Sequence, residues 1–123
     1  MTHALGETIM DSILLSVKHA IGGLDEKVTH FDSDLIMFIN SAFTVLAQLG
    51  VGPETPFKIE DSSTEWSEFE YNDLEAVKEW MFIRVKTLFD PPINGSVTQA
   101  YKERQAELEW RMNVMSEEIK DGE

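Results

Sequence analysis

Residues 35–53, LIMFINSAFTVLAQLGVGP, run nineteen positions without a charge in a chain of 123 residues that carries 23 acidic and 10 basic ones. Three foldings suit so neutral a stretch: a membrane span, the middle helix of a small core, or a helix buried on one side by its own domain and on the other by a second copy. Its borders identify a helix. Asp32 is placed to cap the start, with Phe31 stapling onto Ile36, and Asp34 adds negative charge to the first turn, where the helix dipole favours it. Gly50 supplies a left-handed stop, Val51 can fold back as its apolar contact, and Pro53 blocks continuation. The helix so bounded is about 17 residues, the lower limit for crossing a bilayer. It also contains Asn40, Ser41, Thr44 and Gln48, so no membrane span is expected.

Leu35, Ile39, Ala42, Leu46 and Leu49 form the apolar stripe of this helix, while Met37, Asn40, Ser41, Thr44 and Gln48 form a back that is polar but uncharged. Three further helices surround it in sequence. Thr8–Ile21 repeats Ile9, Ile13, Val17 and Ile21 at steps of four, and Gly22-Gly23 ends it. A third helix is expected to open on Asn72 with Glu75 three residues on, and to stop where Pro91 forces Asp90 from helical geometry. The fourth is expected to be capped by Ser96 with Gln99, its inner side running Val97, Tyr101, Leu108, Met112, Met115 and Ile119. Between the second and third, Phe57 and Ile59 alternate with polar residues, as do Thr64 and Trp66. That pattern predicts a short β-hairpin or an ordered loop anchored by Trp66. The reading is a mainly α fold: one domain over 1–123, a small bundle of about four helices, with 1–7 and 120–123 expected to be flexible.

A net charge of −13 and a pI near 4.5 argue against DNA or RNA binding, since affinity for phosphates comes largely from Lys and Arg. Anionic membrane surfaces are disfavoured for the same reason. Without cysteine there is no disulfide, thiolate metal site or Cys nucleophile. The start, MTHALGETIMD, lacks the basic and apolar regions of a secretory signal, which points to synthesis and folding in a cytosol. His3, His19 and His30 form no metal-binding spacing, and Asp32-x-Asp34 is followed by Ile36 where a calcium loop needs another ligand. No phosphate loop or nucleophile elbow occurs, so no catalytic residue, metal or cofactor is expected, and the chain does not read as an enzyme.

What exceeds an ordinary surface is the apolar content. Third-helix residues Leu74, Val77, Met81, Val85 and Leu88 share one face, whereas Trp80 and Ile83 point away from it; Trp110 falls on the polar side of the fourth helix. One four-helix core is not expected to take all of these, so Asn40, Ser41, Thr44, Gln48, Trp66, Trp80, Ile83 and Trp110 are the candidate contacts with a second copy or a partner. The second helix is expected at the bundle centre, its uncharged back facing a neighbouring helix or subunit.

The phrases FDSDLIMFINSAFTVLAQLGVGP, FKIEDSSTEW, DLEAVKEWMFIRVKTLFDPP and ELEWRMNV together resemble the head-tail connector, or head-completion adaptor, proteins of tailed bacteriophages, over about residues 8–115. The resemblance implies a structural virion protein at the head-tail interface. Copies of it, typically twelve, would form a ring beneath the portal, extend the DNA channel without binding DNA specifically, and offer a docking surface to the tail or a stopper protein. It carries over no catalytic residue. Residues 97–123 and the segment around Trp66 both remain open as the portal contact. The alternative from another class is a helical adaptor of a phage or prophage that binds one protein without forming a ring.

Overall fold

A computed structural model describes residues 11–22 and 24–121, with side chains through Val114. Its four helices are α1 (Ile13–Gly22), α2 (Asp32–Gln48), α3 (Leu74–Phe89) and α4 (Gly95–Asp121), and no strand occurs among the described residues. The mainly helical reading therefore holds, and the expected stretch of α1 before Asp11 lies outside the described residues.

The centre of the bundle is α3, not α2. It packs against each of the other three helices, and α1 also touches α2. The reason lies in its sequence: Ala76, Val77, Trp80, Met81 and Val85 are all buried, and at 100° per residue they cover an arc of about 180°, too wide for one neighbour. The side bearing Trp80 meets α4, where the indole Nε1 donates to Glu109 at 3.0 Å. On another side the Phe82 ring meets Trp66 edge-on at 6.4 Å, and Phe89 meets Phe31 at 5.2 Å.

α2 buries Leu35, Ile39, Ala42, Phe43 and Leu46, the expected stripe with Phe43 added. Its stop is as expected: Gly50 has φ +80°, the Val51 N–H donates to the Leu46 carbonyl at 2.9 Å, and the Gly50 N–H donates to Ala47 at 3.1 Å. Val51 is buried in the core. The start differs. Phe31 occupies the cap position with no side-chain cap bond, while Asp32 is the first helical residue, 2.9 Å from the ammonium of Lys18. Lys18 is itself buried and also donates to the Val28 carbonyl at 2.6 Å, so an ion pair between α1 and α2, closed over the intervening loop, takes the place of a local cap.

The other two expected caps shift by one and two residues. Asp73, not Asn72, accepts from the Ala76 N–H at the start of α3. At α4 the carboxamide of Asn94 accepts from the Ser96 N–H at 2.8 Å, the role assigned to Ser96. Asp90 leaves helical geometry at φ −147°, as its position before Pro91 requires.

Between α2 and α3 the chain is an ordered loop, not a hairpin. The hairpin fails because the backbone groups it would pair are already taken. Asn40 of α2 accepts from the Ile59 N–H at 2.8 Å and donates to its carbonyl at 3.0 Å, imitating a neighbouring strand. The Thr64 carbonyl accepts from the Ile13 N–H at 3.0 Å, and Ser12 Oγ donates to the Ser62 carbonyl at 2.7 Å, so the second half pairs with the start of α1 in one isolated antiparallel bridge, Ser12 with Glu65. A 3-10 turn, Trp66–Glu68, then buries Trp66, whose Nε1 donates to Ser16 Oγ at 2.8 Å. Phe43, Phe57 and Phe69 pack with centroids 5.1–5.4 Å apart. Gly52, at φ +86°, passes so close to this cluster that a Cβ there would lie 2.5 Å from Phe69 Cζ.

Two predictions follow from these contacts. Asn40→Ala strands both backbone groups of buried Ile59 and should lower unfolding free energy by about 1–3 kcal/mol in urea titration, whereas Ser41→Ala one residue on should stay within about 0.5 kcal/mol. Beside the bridge, the Glu65 carboxyl titrates above its ordinary value, first through a hydrogen bond with Asp11 and the Asp11 charge, then through Glu68. A carboxyl raised in the folded state binds its proton more tightly there, so its contribution to stability falls as pH rises from the unfolded carboxylate value through the folded one. Urea midpoints should show Glu65→Gln more stable than the wild type at pH 7, with the gap closing on acidification.

Candidate interface surfaces

The residues singled out from the sequence divide between core and surface. Trp80 and Trp66 are both fully buried within the subunit's own fold, against the expectation that one core could not take them. Trp80 points off the Val77–Met81 face because a second neighbour, α4, lies there; the Arg84 guanidinium covers its ring at 5.6 Å. Ile83 is half-buried against the core. Asn40 is turned to the Ile59 loop, which corrects the idea that the whole polar back of α2 faces away from its own domain.

The remainder of that back is outward. Ser41 and Gln48 are exposed, Thr44 is half-buried with its hydroxyl donating to the Asn40 carbonyl at 3.2 Å, and Met37 is 58% exposed. On α4 the buried positions are Leu108 and Met112, and Trp110 stands opposite them at 70% exposure. A hollow of about 600 Å³ lies beside it, lined by Ala106, Leu108, Glu103 and Glu107 among others.

α4 is held to α3 by polar pairs as well as by its apolar stripe. Arg104 forks onto Glu79, its Nε 2.5 Å and a terminal nitrogen 2.9 Å from the two carboxylate oxygens, and reaches Glu107 at 3.0 Å. Arg111 forks onto Asp73 at 2.6 and 2.9 Å. The Arg104 hydrogen bond holds the Glu79 carboxyl below its ordinary value, so this pair stabilises the fold at neutral pH and fades as acid protonates Glu79. Tyr71 adds a hydrogen bond from its hydroxyl to the Met112 carbonyl at 3.0 Å.

A third outward apolar feature escaped the sequence reading. Around the α3–α4 turn Leu88 and Val97, both assigned to inner faces, are exposed, and Ile93 is fully so at 103%. The available signal was an isoleucine between Pro91-Pro92 and Asn94-Gly95, a turn with no neighbouring element to cover it.

Among the described residues no group of three or more His, Asp or Glu side chains could hold a metal ion, and no helix is long and apolar enough to cross a membrane. What distinguishes this surface is a neutral helix face, an exposed tryptophan beside a hollow and an apolar turn, carried on a four-helix body. Those are features of a small helical subunit shaped for contact with other proteins.

The comparison with family models makes the class specific. The model of the phage connector protein family matches residues 13–119, nearly the whole chain, and the chain belongs to that family, a structural kind of phage protein. No curated protein and no solved structure matches it.

The two tryptophan environments predict opposite outcomes. Trp80→Ala should cost about 3–5 kcal/mol in denaturant unfolding, whereas Trp110→Ala should change stability by no more than about 0.5 kcal/mol.

Proposed function

We propose that the chain is a head-tail connector subunit whose copies form a ring, twelve in number, beneath the portal of a tailed phage. The ring extends the channel through which DNA passes and offers its far side to the tail or a stopper protein. The observation that carries this reading is the family match over residues 13–119. Two features of the fold support it. A ring needs two different surfaces per subunit that meet head to tail, and outward faces of distinct character stand on α2 and α4. A channel that passes DNA must not hold it, and a subunit of net charge −13 repels phosphates. On this reading the protein works in the virion, by shape and contact and without catalysis.

The test is the mass, by light scattering after size exclusion, of the chain mixed with the portal ring of its own phage. One copy bound per portal subunit is expected. A portal that elutes unchanged, with the chain left as a free monomer or dimer, would sink the reading and leave a helical adaptor for a different protein.

A further inference from the structure

The outward faces of α2 and α4 match each other, and neither is covered within the described subunit. On α2, Met37, Ser41, Thr44 and Gln48 recur at steps of four, three and four, so they lie in one line along the helix, the spacing of a helix-packing seam. The middle two are small. The line therefore has a knob at Met37 and a depression over Ser41 and Thr44. On α4 the complement is present: Trp110 projects, and the hollow of about 600 Å³ lies beside it.

We propose that the α2 line of one copy seats on the Trp110 face of α4 of a second copy, with Trp110 over Ser41 and Thr44 and Met37 in the hollow. The contact rests on the ring reading above and adds to it which surfaces meet. Chemistry fits at each point. A thioether beside an indole edge is a favourable contact. An indole N–H that becomes buried needs an acceptor, and the Thr44 hydroxyl, which donates to the Asn40 carbonyl, keeps its lone pairs for that purpose.

Charge argues that the occupant is a second copy. Two chains of net charge −13 repel wherever their acidic surfaces meet, so a stable contact between them must use the least charged faces. The α2 line lies in the nineteen-residue uncharged run. Around Trp110 the cations Arg104 and Arg111 are each held by carboxylates, Glu79 with Glu107 and Asp73, so that face is close to balanced. A basic partner would be drawn instead to the acidic remainder.

Size sets when the contact forms. α2 is roughly 25 Å long and 10 Å wide, so a seam along it covers about 250 Å² per copy, well short of the ~800 Å² per partner of a standard stable interface. The seam thus holds copies that the portal has already set side by side, and the free chain is a monomer.

Because the chain has no cysteine, the seam can be probed with an introduced pair. Ser41→Cys with Ala106→Cys, assembled on the portal ring and treated with a bis-maleimide spanning about 8–10 Å, the separation of packed helices, should give a ladder of multimers on a denaturing gel. Neither single variant should give a ladder, nor should the double variant without portal. Ser41→Glu and Trp110→Arg should each reduce the copies bound per portal at least tenfold at matched concentration, and the two together should restore them. Full occupancy of the portal by both charged variants, with no ladder, would overturn this contact while leaving the ring intact. No portal complex even with the wild-type chain would overturn the ring reading and this contact with it.

Discussion

The fold depends on the burial demanded by α3. A helix with one apolar stripe can be satisfied by one layer, but Ala76, Val77, Trp80, Met81 and Val85 occupy about half the circumference of α3. Water must be excluded from two directions. α1 and α2 supply one side and α4 the other, with Trp80 turned towards α4 and its indole nitrogen satisfied by Glu109. Since α4 packs chiefly on α3, one side of the 27-residue helix is left outward, and Trp110 stands there.

The loop between α2 and α3 shows how order can be had without regular structure. Its backbone groups are satisfied by side chains and by the end of α1: Asn40 takes Ile59, Ser12 takes Ser62, and Ile13 takes Thr64. Its weight is carried by Phe57, Trp66 and Phe69, which pack on Phe43 of α2. Such a loop is as fixed as the helices it joins, since releasing it would expose four aromatic rings and strand the Ser16 hydroxyl that receives the Trp66 N–H.

Features legible in the sequence were those set by local chemistry. The Gly50-Val51-Pro53 stop and the break at Asp90-Pro91 need only neighbours within a turn, and both stand where the residues place them. Caps were legible in kind but not in register, because Asn72 and Asp73 are adjacent and both can cap; which one does depends on where α3 must begin to meet its partners, and Asp73 also receives Arg111 from α4. Trp80 was misplaced because a helical projection with one stripe assumed has no room for a second. Asn40 could not be told from Ser41 by position alone, since its partner, Ile59, is nineteen residues away. Trp110 was legible as an outlier on a charged face, and so were the neutral residues of α2, because an absence of charge needs no tertiary information to be seen.

The neutral run is thus explained from both of its sides. Its inner half must be apolar to meet α3, which would leave its outer half free to carry the lysines and glutamates found elsewhere on this surface. It carries none, although a charged outer face would cost nothing in the isolated subunit and would favour solubility. Asn40 accounts for one of the neutral positions through the Ile59 loop. Met37, Ser41 and Gln48 remain exposed with no intrachain need for neutrality. In a chain with 27% charged residues, a line of helix surface kept neutral has its physical rationale in approach by another protein, and least charge is needed where that protein is equally acidic.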